Sequence, residues 1–307
     1  MNLIICYTPL QVLIAEKIIE QHSSESFFGL MISSAKNAKF DYYRQKLEGG
    51  CEQFFAMHQR TDRFGLFKDT ACLKWHFLGK KFDKIFVASI NDLQIQTVLS
   101  SIHFNTLFTF DDGTANITPT SCFYIEPPQT KLRKIVNTIW GNRYSLSDIK
   151  NLSQGHYTLY PSLPNIIENL IPIKLIENSS EEKRQKDVIH LLLGQPVFLE
   201  AERNIKLVQK VVQKFNISHY LPHPREQYQV SDVEYIHTAL IFEDYLQRNP
   251  DKYYRVYTYF SSAVLNVMNL PNVEVIVLRI DTENPAFEAC YLLFEQLNLT
   301  IVEMRNE

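Results

Sequence analysis

The sequence predicts an α/β fold made of two Rossmann-like domains that face a cleft. Short apolar runs of strand length alternate with amphipathic helical stretches, and this alternation occurs in both halves of the chain. A polar, charged stretch near the middle separates the two halves, and the length of 307 residues suits two domains. We therefore assign residues 1–173 to a first domain, 174–186 to a linker and 187–307 to a second domain.

Three apolar runs indicate buried strands in the first domain, at residues 3–7, 85–88 and 106–110. Thr8 and Pro9 end the first run and are a suitable N-cap and first residue for the helix that follows. In the second domain, strands are predicted at 188–193, 218–221, 254–259 and 273–278. Helices are predicted there at 204–215, 242–247, 261–268 and 285–297. An alternative is that the last helix crosses back onto the first domain.

Composition excludes several classes of protein. The net charge is −3 and no long basic run occurs, so no nucleic acid polymer is expected as a partner. The five cysteines are scattered and form no CxxC pair, which favours reduced thiols in the cytoplasm. No apolar stretch approaches about 18 residues, so we expect no signal peptide and no membrane span. Any contact with the inner membrane is then peripheral.

Ligands of parallel α/β sheets bind at the carboxyl ends of strands, and this rule selects several polar segments. One is Asp111-Asp112-Gly113-Thr114, which follows a predicted strand. Its carboxylates suit a base or a binder of polar hydroxyls in the cleft, but Asp and Gly are also typical turn residues. No other ligand cluster with metal spacing surrounds them, so no metal is expected.

Two segments of the second domain suit a leaving phosphate. His223 lies between two prolines, which stiffen its loop, and an imidazole can act as an acid near neutral pH. Ser261 and Ser262 begin a predicted helix, whose N-terminus would bind phosphate, although simple N-capping explains one serine equally well. The basic stretch Lys131–Trp140 has an apolar stripe; we favour core packing over docking on anionic lipid.

The ordered set of motifs resembles the bacterial lipooligosaccharide sialyltransferases of glycosyltransferase family 52. It comprises NLIICYTPLQ at residues 2–11, FDDGT at 110–114, LLGQP at 192–196, PHPR at 222–225 and YTYFSS at 257–262. The resemblance implies a GT-B-like fold and transfer of sialic acid from CMP-sialic acid to a terminal galactose, α2,3-linked. It further implies inversion of configuration, with neither a metal nor a cofactor, and a homodimer.

The resemblance also assigns the acceptor to the first domain and the CMP-sialic acid donor to the second, and it gives roles to individual residues. His223 matches the acid that assists departure of CMP, and Ser261 and Ser262 match the serines at the donor phosphate. The other expected donor-binding residues are Gly194, Gln195, Pro196, Pro224, Arg225 and Tyr259. The expected acceptor-side residues are Thr8, Gln11, Asp112, Gly113 and Thr114. In some members of the family a catalytic aspartate follows the segment that matches Gly194-Gln195-Pro196. None follows it here, so the base stays open between Glu200, Glu202 and Asp111.

Three alternatives compete with this hypothesis. The first is a glycosyltransferase of the same fold that uses another nucleotide sugar. The second is a non-catalytic two-domain protein that closes on a polar ligand. The third is a metal-dependent phosphohydrolase built on Asp111 and Asp112, which would be sensitive to chelators.

Overall fold

The computed structural model describes residues 1–60, 62–125, 129–176, 188–223, 226–282 and 285–304. The chain divides into two compact units, Met1–Leu175 and Ile176–Glu307. The division falls inside the predicted linker, most of which (residues 177–186) lies outside the described residues, as do Pro224 and Arg225.

Unit 1 alternates strands and helices. Its strands are β1 (Asn2–Cys6), β2 (Phe27–Ser33), β3 (Gln53–His58), β4 (Lys81–Val87), β5 (His103–Phe110), β6 (Ser153–Thr158) and β7 (Leu170–Pro172). Its helices are α1 (Pro9–Gln21), α2 (Ala38–Gly49), α3 (Arg63–Phe77), α4 (Leu93–Ser101), α5 (Lys131–Trp140) and α6 (Leu146–Leu152), with a 3-10 turn at Gly113–Asn116. The sheet order is β3-β2-β1-β4-β5-β6-β7, and the strand pairs are parallel.

Unit 2 repeats this plan on a smaller scale. Its strands are β8 (Val188–Leu193), β9 (His219–Leu221), β10 (Glu234–Tyr235), β11 (Tyr253–Thr258), β12 (Val273–Arg279) and β13 (Thr300–Glu303). Its helices are α7 (Ala201–Phe215), α8 (Phe242–Gln247) and α9 (Pro285–Gln296), with a 3-10 turn at Ser262–Asn266. The parallel sheet has the order β10-β9-β8-β11-β12-β13. The prediction of two parallel α/β units is confirmed.

Local sequence explains the start of α1. The Thr8 hydroxyl accepts a hydrogen bond from Gln11 N at 3.3 Å, and Pro9 occupies the first helical position, where its missing N–H costs nothing. After Asn2, the residues of β1 are apolar, and the strand is buried along its whole length, as expected of a central strand in a parallel sheet. Each unit has its own hydrophobic core.

Two features of unit 2 differ from the sequence expectation. The predicted helix at 261–268 is a 3-10 turn of five residues, Ser262–Asn266. Asn266 and Val267 favour helix weakly, and Pro271 biases the residue before it toward extended backbone. The last helix, α9, belongs to unit 2, where the unpredicted edge strand β13 follows it and pairs with β12.

Candidate active site

Both sheets reverse their strand order at one point, which is where open parallel sheets bind ligands. In unit 1 the reversal lies between β1 and β4, and in unit 2 between β8 and β11. Sequential connections leave β1 and β8 in one direction and β4 and β11 in the other, so a crevice opens at the carboxyl ends. The described candidate residues follow β1 and β5 in unit 1, and β8, β9 and β11 in unit 2.

In unit 1, Gln11 spans the reversal point. Its Oε1 accepts a hydrogen bond from Tyr7 N at 2.6 Å, and its Nε2 donates to Ser89 Oγ at 3.0 Å and to Asp112 Oδ1 at 2.6 Å. Ser89 Oγ in turn donates to Asp112 Oδ2 at 2.9 Å. Gln11 is fully buried, so this amide fixes the segments that follow β1, β4 and β5 relative to one another.

The two adjacent aspartates have different surroundings. Asp111 is fully buried, and its carboxylate is hydrogen-bonded to His156 Nε2, Thr158 Oγ1 and Leu159 N at 2.9, 2.9 and 2.6 Å. A substrate hydroxyl could reach these oxygens only if buried donors lost their partner, which is costly. Asp111 thus holds β5 to β6, and its role as a base stays a prediction that its burial disfavours.

Asp112 is half-buried, unlike the fully buried Asp111. Its partial removal from water raises the pKa of its carboxyl group. Its backbone N donates to Asn116 Oδ1 at 2.6 Å, and Gly113 follows with a φ of 61°, in the left-handed region that favours glycine. Thr114 is also half-exposed, whereas the Thr8 hydroxyl serves as the helix cap. The segment has the backbone geometry of a turn, and a role of its half-buried side chains in binding stays a prediction.

The separation of the aspartates also bears on the metal hypothesis. Asp111 and Asp112 direct their oxygens into two different hydrogen-bond networks. Across the described residues, no group of three or more His, Cys, Asp or Glu side chains has the arrangement of a metal site.

In unit 2, Gln195 takes the corresponding position after β8. Its Oε1 accepts three hydrogen bonds, from Thr258 Oγ1 at 3.0 Å and from Tyr259 N and Phe260 N at 3.1 Å each. The residue is 8% exposed. Because the carboxamide oxygen is already shared by three donors, the group that Gln195 can offer a ligand is its NH₂. The side chain fixes the segment after β11 against the segment after β8.

The serine pair follows directly from this arrangement. Ser261 N donates to Thr258 Oγ1 at 3.1 Å, and Ser261 precedes the 3-10 turn without accepting a capping hydrogen bond in its side chain. Ser261 and Ser262 are half-exposed. Their hydroxyls, rather than the dipole of a long helix, are what this segment offers a phosphate. Tyr259 lies in the same region, but its side chain is fully buried in the core and only its backbone lies at the strand end. Its role in donor binding stays a prediction.

The loop after β8 carries the remaining carboxylate candidates. Asn204 is 2% exposed, and its Oδ1 accepts from Val197 N and Phe198 N at 2.9 and 3.0 Å. Its Nδ2 donates to Phe198 O and Glu200 O at 2.7 and 3.1 Å. One buried amide thus shapes the loop, and the exposed side chains of Glu200 and Glu202 lie at the start of α7. Sequence reasoning missed Asn204, although a buried amide early in a helix is a usable signal.

His223 lies just after β9, half-buried. Gly194 N donates to Leu221 O at 2.8 Å, so the segments after β8 and β9 begin side by side. Gly194 is buried and Pro196 is half-exposed. His223, Gly194 with Gln195, and the serine pair thus follow three neighbouring strands of one sheet, β9, β8 and β11.

A comparison with family models identifies this architecture. The model described as glycosyltransferase family 52 matches residues 24–282. The chain belongs to glycosyltransferase family 52. A relative from Pasteurella multocida named CMP-N-acetylneuraminate:beta-galactoside alpha-2,3-sialyltransferase is 54% identical over 307 residues, covering 99% of this chain and 100% of that protein. A relative from Haemophilus influenzae named N-acetyllactosaminide alpha-2,3-sialyltransferase is 39% identical, covering 98% of this chain and 99% of that protein.

Solved structures agree on the fold of this family 52 member. The GT-B domain of a sialyltransferase from Photobacterium damselae superposes with a TM-score of 0.56 at 9% identity, covering 99% of this chain and 100% of that one. The low identity restricts this likeness to the fold. The predicted family and the predicted GT-B-like class are both confirmed.

Proposed function

We propose that this family 52 glycosyltransferase transfers sialic acid from CMP-sialic acid to the terminal galactose of a lipooligosaccharide, forming an α2,3 linkage with inversion and without a metal. The observation that carries the proposal is the 54% identity over the full length to the Pasteurella protein named as an alpha-2,3-sialyltransferase of beta-galactosides. Unit 2 binds the nucleotide-sugar donor, and unit 1 binds the galactose acceptor.

The reaction breaks the bond between the anomeric carbon of sialic acid and the phosphate oxygen of CMP, and forms a bond from that carbon to a galactose hydroxyl oxygen. The anomeric carbon is fully substituted, so bond breaking runs ahead of attack and the transition state resembles an oxocarbenium ion. Negative charge then grows on the phosphate. The protein lowers the barrier by placing hydrogen-bond donors where this charge develops.

His223 is the acid of this mechanism. Its imidazolium donates to the departing phosphate oxygen, and the hydroxyls of Ser261 and Ser262 donate to the other oxygens. Three described features support this set: the segments after β8, β9 and β11 are adjacent, Gln195 fixes the segment that precedes the serines, and Ser261 is not used as a side-chain cap. Such donors take over the charge neutralisation that a metal supplies in other transferases.

A carboxylate accepts the proton of the galactose hydroxyl during attack. We assign this task to Glu200 or Glu202, since both are exposed at the end of the loop that Asn204 shapes, whereas Asp111 is enclosed. Asp112 instead binds the acceptor: its half-exposed carboxylate, fixed by Gln11 and Ser89, suits a sugar hydroxyl.

The deciding experiment measures CMP release and sialylated product from CMP-sialic acid, with and without lactose, in the presence of EDTA. The proposal expects lactose-dependent sialyl-lactose formation that EDTA does not change. CMP release without sialylated product would leave the donor and reject the acceptor. Absence of turnover in a folded sample, with tight binding of another nucleotide sugar, would favour the alternative donor. Binding without turnover of any donor would favour the non-catalytic alternative.

We also propose that α5 makes peripheral contact with the inner membrane. Ile135 and Ile139 are 55% and 57% exposed on one face, and the exposed Lys131 and Lys134 lie on the same helix. No helix among the residues the structure describes is long and apolar enough to cross a bilayer. Cosedimentation with anionic vesicles, lost in an Ile135→Ser/Ile139→Ser variant, tests the contact.

A homodimer rests on the family resemblance alone, and sedimentation velocity tests it.

A further inference from the structure

Glu226 forms two hydrogen bonds with the backbone of His223. Glu226 N donates to His223 O at 2.9 Å, and His223 N donates back to Glu226 Oε2 at 3.4 Å. The same Oε2 accepts from the hydroxyl of Tyr220 at 2.7 Å. Glu226 therefore connects the backbone of His223 to a fully buried tyrosine of β9, through one oxygen.

Gly194 makes room for this pair. A Cβ atom at Gly194 would lie 2.6 Å from Glu226 Oε2 and 2.6 Å from the Tyr220 hydroxyl oxygen, closer than nonbonded atoms approach. The space that Glu226 and Tyr220 occupy thus explains the glycine of the LLGQP motif, although Glu226 lies far from it in the sequence. Any larger residue at position 194 would displace the Glu226 carboxyl group from its hydrogen bonds with Tyr220 and His223.

Two tyrosine side chains, Tyr220 and Tyr228, lie next to the carboxyl group of Glu226. Burial raises the pKa of Glu226, and burial next to Glu226 also raises the pKa of Tyr220, so the tyrosine keeps the proton that it donates. Burial raises the pKa of the neighbouring Tyr228 to about 12. Glu226 Oε1 is buried and has no hydrogen-bond partner among the described residues. A buried group of this kind is expensive unless its geometry serves a purpose.

We propose that Glu226 is a positioning residue that holds His223 against the donor phosphate, in the place set by Tyr220 and Gly194. The inference rests on the proposed function, because it gives Glu226 a task only if His223 acts on the donor. Glu226 does not touch the substrate in this role. It acts through its hydrogen bonds to the backbone of His223, and a displacement of about 1 Å at the reacting group costs about 100-fold in rate.

The first test compares Glu226→Ala with Glu226→Gln. We expect Glu226→Ala to lower kcat about 10- to 100-fold, with little change in the Kd for CMP. Glu226→Gln should stay within about threefold of wild type, because its amide oxygen can still accept from Tyr220 and from His223 N. Equal loss in both variants would overturn the positioning role, since it would mean that the carboxyl group itself carries charge or a proton in the reaction.

A double-mutant cycle separates positioning from general destabilisation. In a His223→Ala background, Glu226→Ala should cause almost no additional loss of kcat, because nothing remains to be positioned. An equal fold loss in both backgrounds would overturn the inference, as would full activity of Glu226→Ala. If Glu226→Ala does not fold, Tyr220→Phe removes one hydrogen bond with little change in volume and should show the same dependence on His223.

The cycle also distinguishes this inference from the function on which it rests. Wild-type protein without CMP-sialic acid turnover would reject the proposed function. Wild-type turnover that His223→Ala leaves unchanged would reject the acid assignment while keeping the function. Turnover that depends on His223 but not on Glu226 would reject the positioning role alone.

Discussion

Gln11 Nε2 donates a 2.6 Å hydrogen bond to Asp112 Oδ1, although 101 residues separate them in the sequence. The same amide also binds Ser89 and the backbone of Tyr7, so a single buried side chain orients the only aspartate of the pair that solvent can reach. In unit 2, Gln195 does the same for the segment that precedes the serines. Each unit thus uses one glutamine to build the strand-end surface at its point of sheet reversal.

Asp112→Asn should weaken acceptor use. An asparagine has a single acceptor oxygen, so its NH₂ would face one of the two donors, Gln11 Nε2 or Ser89 Oγ. Loss of a hydrogen bond to a charged group is worth about 1.5–3 kcal/mol, which corresponds to a fall of about 10- to 100-fold in kcat/KM for lactose. Steady-state kinetics at saturating donor measure it, with the exposed Asp41→Asn as the matched control. An unchanged lactose KM and kcat would remove Asp112 from the acceptor site.

His223→Ala should lower kcat by about two to four decades and leave the Kd for CMP nearly unchanged, because the imidazole stabilises charge that develops only as CMP departs. Calorimetric titration of CMP and initial-rate assays of sialyl-lactose formation measure the two quantities. The exposed His103→Ala is the control, and it should match wild type. Wild-type turnover in His223→Ala would contradict the acid assignment.

One of Glu200→Gln and Glu202→Gln should lose about two to four decades in kcat, because a general base contributes on that scale. Asp111→Asn should behave differently. Its carboxylate accepts three buried hydrogen bonds, so the variant should lose about 1–3 kcal/mol in the free energy of unfolding and keep its activity per folded molecule. Urea titration and rates at saturating donor separate these effects. Stable but inactive Asp111→Asn would return the base to that residue.

Gln195→Met should disturb the donor site without creating a large cavity. Methionine has a similar length but cannot accept from Thr258, Tyr259 N and Phe260 N, so these donors lose their shared partner. We expect the Kd for CMP to rise about tenfold, a change of about 1.4 kcal/mol. Calorimetry measures it against the exposed Gln227→Met. CMP binding as tight as in wild type would show that Gln195 does not shape the nucleotide site.

Glu25 gives a pH-dependent contribution to stability. A 2.6 Å hydrogen bond from Lys84, with further bonds from Asn2 and His22, lowers its pKa from 4.5 to about 2. Because the folded-state pKa is lowered, the stabilisation is complete above about pH 4.5 and is lost as pH falls toward 2. The stability gap between wild type and Glu25→Gln, from urea titrations between about pH 3 and 7, should shrink on acidification.

The exposed ion-pair partner Glu20 provides the control for this experiment. It is 62% exposed in its side chain, so Glu20→Gln should change the free energy of unfolding very little at any pH. A stability gap for Glu25→Gln that did not depend on pH would contradict the lowered pKa of Glu25.

Strands, helices and helix caps that depend on neighbours along the chain are predictable from the sequence alone. Period and length of the apolar runs predict β8 at 188–193 and α8 at 242–247 at the observed bounds, because strand and helix patterns are local. Thr8 and Pro9 predict the start of α1, since a cap acts over three residues. The ordered motifs also predict the family, which the family comparison confirms.

Tertiary structure decided which of these residues can meet a ligand. Asp111 and Asp112 are adjacent, but successive side chains at a strand end point to opposite sides, so one is enclosed by β6 and the other reaches Gln11. Tyr259 is buried for the same reason, whereas its backbone lies at the strand end. The contact of Gly194 with Glu226 exists because β8 and β9 are neighbours in the sheet. Contacts of this kind depend on strand order, which is set by the packing of the whole unit rather than by local pattern.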